Sequence, residues 1–234
     1  MVMMLVVVGV VSGALVAGAA WGVFGRMKPA TEGFLIALAG GALLVSVVSE
    51  LVEPSIEASS VWIAMAGLAA GAIVFSLLDY FVDEKWGSDS GGGLLAAITL
   101  DGVPENLALG VALIGAGPAE IAALAGSILL SNLPEAAGGA REMASGGRSR
   151  GRVIGLWIAT AVLLSAAAVV GNVALAGAGD ETLAVIRCFA AGAVVASLAT
   201  EVFPKAFREG HHWAGVATAL GVILAFALGS LSGG

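Results

Sequence analysis

Polar positions in this 234-residue chain gather mainly in narrow breaks between long apolar runs. The runs lie near residues 2–24, 33–52, 61–82, 94–115, 118–142, 153–176, 182–206 and 212–231. Each is close to the roughly 20 residues that an α-helix needs to cross the hydrocarbon core of a bilayer. The breaks read as short links: Gly25 to Pro29, Glu53 to Ser60, Asp83 to Gly93 and Ser145 to Arg152. No break is long enough for a soluble domain. The pattern therefore predicts an all-α integral membrane protein with eight transmembrane helices, forming one domain over residues 1–234. The first run lacks a basic stretch ahead of it and is long enough to span, so it reads as a helix rather than a signal peptide.

Basic residues orient the spans. With eight of them, links 1–2, 3–4, 5–6 and 7–8 share one side. Beside these links stand Arg26, Lys28, Lys85, Arg141, Arg148, Arg150, Arg152, Lys205 and Arg208, nine of the ten Lys and Arg residues. Only Arg187 falls toward the other side. Positively charged links face the cytoplasm, so both termini are expected outside, in a multi-pass plasma-membrane protein.

Composition agrees with the pattern. The chain is 59% hydrophobic and 12% charged, with a mean hydropathy of +1.02. Soluble domains run at roughly 45–50% apolar and about 25% charged, so the excess must face lipid. The 35 glycines sit within Ala/Val/Leu runs, where small residues let membrane helices approach closely. A net charge of −7 excludes a nucleic-acid footprint and favours cationic partners. Cys188 is the single cysteine, and His211 and His212 are adjacent in a polar link, so no thiolate or histidine cage is on offer.

Two pairs of segments echo one another. GALLVSVVSELVEP from Gly41 to Pro54 resembles GAVVASLATEVFP from Gly192 to Pro204, matching Ser46 with Ser197 and Glu50 with Glu201. DGVPEN from Asp101 to Asn106 resembles SNLPEA from Ser131 to Ala136. The partners enter the membrane from opposite sides. That is the pattern of an inverted repeat, helices 1–3 and 6–8 around helices 4–5, with a ligand site near the midplane.

The chemistry concentrates in spans four and five. Asp101 and Glu105 are four residues apart, which puts both carboxylates on one helical face. Ser131 and Glu135 repeat that spacing, with Asn132 beside them. Three acids at span centres oppose insertion by on the order of 8–10 kcal/mol unless paired, protonated or hydrated. No Lys or Arg lies in the apolar parts of these spans, and a bound divalent cation would neutralise them. Pro104 and Pro134 also free the carbonyls of Leu100 and Leu130 one turn before the acids. Those carbonyls need water, a side chain or an ion. The competing account is a pair of proline kinks whose protonated acids bond neighbouring helices.

These two helices resemble the signature helices of the ZIP family of divalent metal-ion transporters. There the fourth helix typically reads His-Asn-x-Pro-Glu-Gly and the fifth carries a similar Pro-Glu or Pro-His element. Here the same frame reads Asp101-Gly102-Val103-Pro104-Glu105-Asn106 and Ser131-Asn132-Leu133-Pro134-Glu135-Ala136. The resemblance implies a metal site from Asp101, Glu105, Ser131, Asn132 and Glu135. It also implies a homodimer, with helices 1, 4, 5 and 6 moving against 2, 3, 7 and 8. Departures are plain: no histidine stands at the site, Gly102 replaces the usual asparagine, and Asn172 is the sixth span's only amide. A single metal site is the reading that follows. The ion is carried rather than held as a cofactor. The family implies zinc or another first-row ion such as iron or manganese, with cadmium admissible, while oxygen-only ligation leans toward harder ions and excludes Cu(I).

Other acids have plainer readings beside functional ones. Glu50 and Glu201 end matched spans and are pathway candidates, although Glu201 can also pair with Lys205 at i+4. Asp79, Asp83 and Glu84 close the third span as a solvated cap, with a release route as the alternative. Glu120 complements a helix dipole, and Arg148, Arg150 and Arg152 read as a topology anchor that can touch anionic lipid. Two other function classes remain: a membrane sensor or structural protein that binds metal without moving it, and an intramembrane enzyme. The second lacks paired histidines, paired intramembrane aspartates or a buried base. No catalytic residue is expected.

Overall fold

The structure, a computed structural model, describes residues 2–25, 27–86, 91–114 and 118–232, without the side chains of 2–3, 83, 85–86, 91–98, 101, 118–120, 123–124 and 231–232. Its helices are α1 (Val2–Phe24), α2 (Pro29–Val47), α3 (Glu53–Ala58), α4 (Val61–Trp86), α5 (Gly91–Ala112), α6 (Pro118–Ser145), α7 (Arg150–Leu175), α8 (Asp180–Ser197), α9 (Phe203–Gly210) and α10 (Trp213–Ser232). Among the described residues there is no strand. Among the described residues, six helical rods are long and apolar enough to cross a membrane: Met4–Phe24, Pro29–Ala58, Val61–Val82, Arg150–Leu175, Asp180–Gly210 and Trp213–Ser230.

Two of those rods are interrupted in the same way. A π-helical turn at Val48–Val52 joins α2 to α3, and another at Leu198–Val202 joins α8 to α9. Pro54 and Pro204 follow one residue into the next helix. A proline lacks its N–H, and its ring crowds the carbonyl four residues back, so a widened turn relieves it. Ser49 donates to the Val45 carbonyl at 2.9 Å and Thr200 to that of Ala196 at 3.2 Å, the same back-bond from within each turn. The segments read from sequence as links are therefore helical in part: the rod that holds the second predicted span runs on to Ala58, and the one that holds the seventh, the seventh rod hereafter, runs on to Gly210.

Packing repeats too. Gly41 of α2 lies so close to the Thr218 carbonyl of α10 that a Cβ would overlap it, and Gly221 lies likewise against the Leu38 carbonyl. The α8–α4 crossing has the same form, with Gly192 on the Leu68 carbonyl and Gly71 on that of Phe189. Such approaches are the packing expected of helices that cannot gain from burying apolar surface against each other in lipid.

The helices with outward faces carry large apolar side chains there: Ile73, Leu77 and Phe81 on α4, Val162 and Val170 on α7, Ile223 and Phe226 on α10. Trp62 and Trp213 open α4 and α10 at 81% and 69% exposure, where interfacial aromatics belong. The remaining faces of α1, α2, α5, α6 and α8 converge inward. One buried cluster joins Val11, Val47, Leu51, Leu109, Ile128, Ala191 and Leu198. A second wraps the fully buried Trp157 with Leu15, Ala19, Ala136 and Ala140.

Candidate functional site

Both Pro-Glu helices run unbroken through their prolines, α5 past Pro104 and α6 past Pro134. Their faces meet at mid-length. Ser131 Oγ lies 3.4 Å from Glu105 Oε1 and 3.0 Å from the Ile128 carbonyl, so its single proton is shared between a carboxylate and the backbone. Glu105 is 8% exposed and Ser131 9%. Glu135, one turn beyond Ser131, faces the same space.

That space is a cavity of about 690 Å³. Glu105, Ser131 and Glu135 form its deep end, with Leu43 and Val194 alongside. Its walls follow α6 through Gly138, Arg141, Glu142 and Ser145, α2 back through Ala39 and Ile36 to Glu32, and the seventh rod through Ser197, Glu201, Lys205, Arg208 and Glu209; Asp79 of α4 completes the lining. The mouth thus lies at the start of α2 and the ends of α4, α6 and α9, the end of the molecule that carries the basic links. On the far side of Glu105 and Ser131, Leu109, Ile121 and Ile128 pack with Leu51 and Ala190 in the first buried cluster. Among the described residues, the acids of α5 and α6 thus stand between a polar-lined passage and packed apolar side chains.

Lining side chains include the carboxylates of Glu32, Asp79, Glu105, Glu135, Glu142, Glu201 and Glu209 against the cations of Arg141, Lys205 and Arg208. The interior is net acidic, which attracts cations into a low-dielectric cleft. Among the described residues, no three His, Cys, Asp or Glu side chains converge closely enough to hold a metal ion. The Asp101 side chain lies outside the described residues, with its backbone one turn before Glu105 in α5.

The other sequence candidates divide. Asp79 and Glu201 are in the wall. Asn132 turns away: it is 3% exposed and donates from Nδ2 to the Val11 carbonyl of α1 at 3.4 Å. Glu50 sits in the first π turn and is not among the lining residues. Asn172 also faces backbone, donating to the Gly110 carbonyl at 3.1 Å. Lys205, expected beside Glu201, has its ammonium 4.0 Å from Glu32. Arg187, the one basic residue away from the basic face, donates to the carbonyls of Val111 and Ile114 at 3.3 Å each. It caps the end of α5, which gives a cation a structural place there.

Glu32 escaped the sequence reading. An acid in the first turn of a helix reads as a partner for the dipole, and here it opens α2. Its carboxylate is 1% exposed and bonds Arg141 of α6 at 2.7 Å. Arg141 also donates to the Met27 carbonyl at 3.1 Å. The two partners of Glu32 come from helices far off in sequence, so no local pattern marks it.

No known family model matches this chain, and no curated protein is significantly similar to it.

Proposed function

We propose that this chain is a divalent metal-cation transporter that moves its ion toward the cytoplasm by alternating access through the carboxylates of α5 and α6. The observation that carries this reading is the acidic cavity: Glu105, Ser131 and Glu135 line it together with carboxylates that reach the face bearing the basic links, and apolar residues of α5 and α6 pack beside them on the other side. A cation held by oxygen ligands there would have a polar passage on one side and packed apolar side chains on the other, which is one state of an alternating-access carrier.

The finer architecture belongs to the same proposal. Alternating access needs α5 and α6 as further spans, making eight, and their 22 and 28 residues are long enough. An inverted repeat is supported by the paired π turns with their glutamates and prolines, and by the matched glycine crossings of α2–α10 and α8–α4. The resemblance to ZIP transporters then suggests that α1, α5, α6 and α7 move against the other helices, within a homodimer, and that zinc or another first-row ion is the cargo. Asp101 would complete the ligand set with Glu105, Ser131 and Glu135. Positively charged links facing the cytoplasm put both termini outside a plasma membrane.

Uptake into proteoliposomes of purified protein, comparing Zn, Mn, Fe(II), Mg and Cd, tests the reading. Wild type is expected to show saturable uptake of at least one ion, and Glu105→Ala and Glu135→Ala to lose it while eluting as folded protein. Normal uptake in both variants would overturn the assignment. Metal binding without uptake in wild type would favour a sensor instead.

A further inference from the structure

The passage from Glu135 to the mouth contains an obstacle. Arg141 stands on the cavity wall between Gly138 and Glu142, on the helix that bears Ser131 and Glu135. A divalent cation moving along this wall would come near this guanidinium, and like charges in a cleft of low dielectric repel strongly. The obstacle comes with its own neutraliser. Glu32, almost wholly buried, places Oε2 2.7 Å from the guanidinium, while its other oxygen faces Lys205 at 4.0 Å. The arrangement is built for this carboxylate: a Cβ on Gly138 would overlap Glu32 Oε1. The Met27 carbonyl anchors the guanidinium from the other side at 3.1 Å.

We propose that Glu32 is a positioning residue for transport, the fixed counter-charge that cancels Arg141 and keeps the mouth half of the cavity passable to a divalent cation. The consequence for flux rests on the transport reading above; the electrostatic assignment does not. Without Glu32 the wall would lose the carboxylate nearest Arg141 and Lys205 and become locally more positive, and cations would be slowed between the deep site and the mouth. The pair also crosses from α2 to α6, the two groups of helices that alternating access would move apart, so the counter-charge acts in the arrangement that is open to the basic face.

The charge can be read directly. In a Cys188→Ser chain carrying Ser145→Cys, one turn beyond Arg141 on the cavity wall, the rates of modification by a cationic and an anionic methanethiosulfonate reagent are compared. Glu32→Gln is expected to lower the cation-to-anion rate ratio by on the order of threefold. Arg141→Gln is expected to raise it, and the double variant to restore it. Uptake should follow: strongly reduced in Glu32→Gln, mainly as a higher apparent KM, and recovered in Glu32→Gln with Arg141→Gln. A purely structural ion pair predicts no such rescue. A ratio unmoved by either single variant, or, where wild type takes up ion, a double variant no better in uptake than Glu32→Gln, overturns the proposal. A ratio that moves as expected in a chain that takes up no ion supports the counter-charge and overturns the transport reading instead.

Discussion

At the residue scale, what distinguishes the acids of this protein is the company each keeps. Glu105 shares a serine proton with the backbone, whereas Glu32 is clamped between an arginine and a lysine. Removing one partner of a buried ion pair leaves an uncompensated charge, a large effect in mutational series. The same clamp makes Gly138 sensitive. Gly138→Ala would push against the pinned Glu32 carboxylate and is expected to cost about 1–2 kcal/mol of stability, the usual scale for overfilling a packed site. Because both changes act on one carboxylate, Gly138→Ala combined with Glu32→Ala should cost clearly less than the sum of the two, measured by thermal unfolding in detergent. Strict additivity would show that Gly138 acts elsewhere.

At the scale of elements, the apolar runs and the helices track each other closely, and the differences have a local cause. Glu53, Pro54 and Glu57 read as a link, and Arg208 and Glu209 lie past the seventh predicted span, because the apolar run breaks at them. The helix continues because a π turn absorbs each proline and because those polar groups line the mouth of a cavity or meet water at an end. Hydropathy alone does not distinguish a polar link from a polar helical wall. Glycine placement, by contrast, makes a sharp distinction that can be checked. Gly221 lies on the Leu38 carbonyl, while Gly215 of the same helix has nothing within 4 Å. Gly221→Leu is therefore expected to cost about 2–3 kcal/mol by forcing α2 and α10 apart, and Gly215→Leu close to nothing. Equal losses of thermal stability in the two variants would mean that α2 and α10 do not cross here.

For the whole molecule, charge asymmetry and cavity direction coincide. The cavity lining reaches the end bearing the basic links, and among the described residues Leu109, Ile121 and Ile128 pack together beyond its acids. If those links are cytoplasmic, epitope tags at both termini should be stained on intact cells, and Ser149→Cys in the α6–α7 link should react with an impermeant thiol reagent only after the membrane is opened. Reaction of Ser149→Cys on intact cells would reverse the direction of transport proposed here. Arg187 no longer counts in that balance, since capping the end of α5 accounts for its position.

Helix content, the places where helices begin, and the acids of the Pro-Glu segments are all local properties, and the sequence by itself determined them through hydropathy, proline and spacing. It also carries the likeness of Gly41–Pro54 to Gly192–Pro204, in which matched positions hold the same residue types. Which faces meet was decided only by the tertiary structure. Ser131 and Asn132 are neighbours in sequence, yet one turns to Glu105 and the other to the backbone of α1. Glu32, Arg141 and Lys205 come from three helices and become one charged cluster only when α2, α6 and α9 surround a common space. The reason is physical: periodicity assigns a residue to a face of its own helix, and the crossing of that helix with others decides what the face touches.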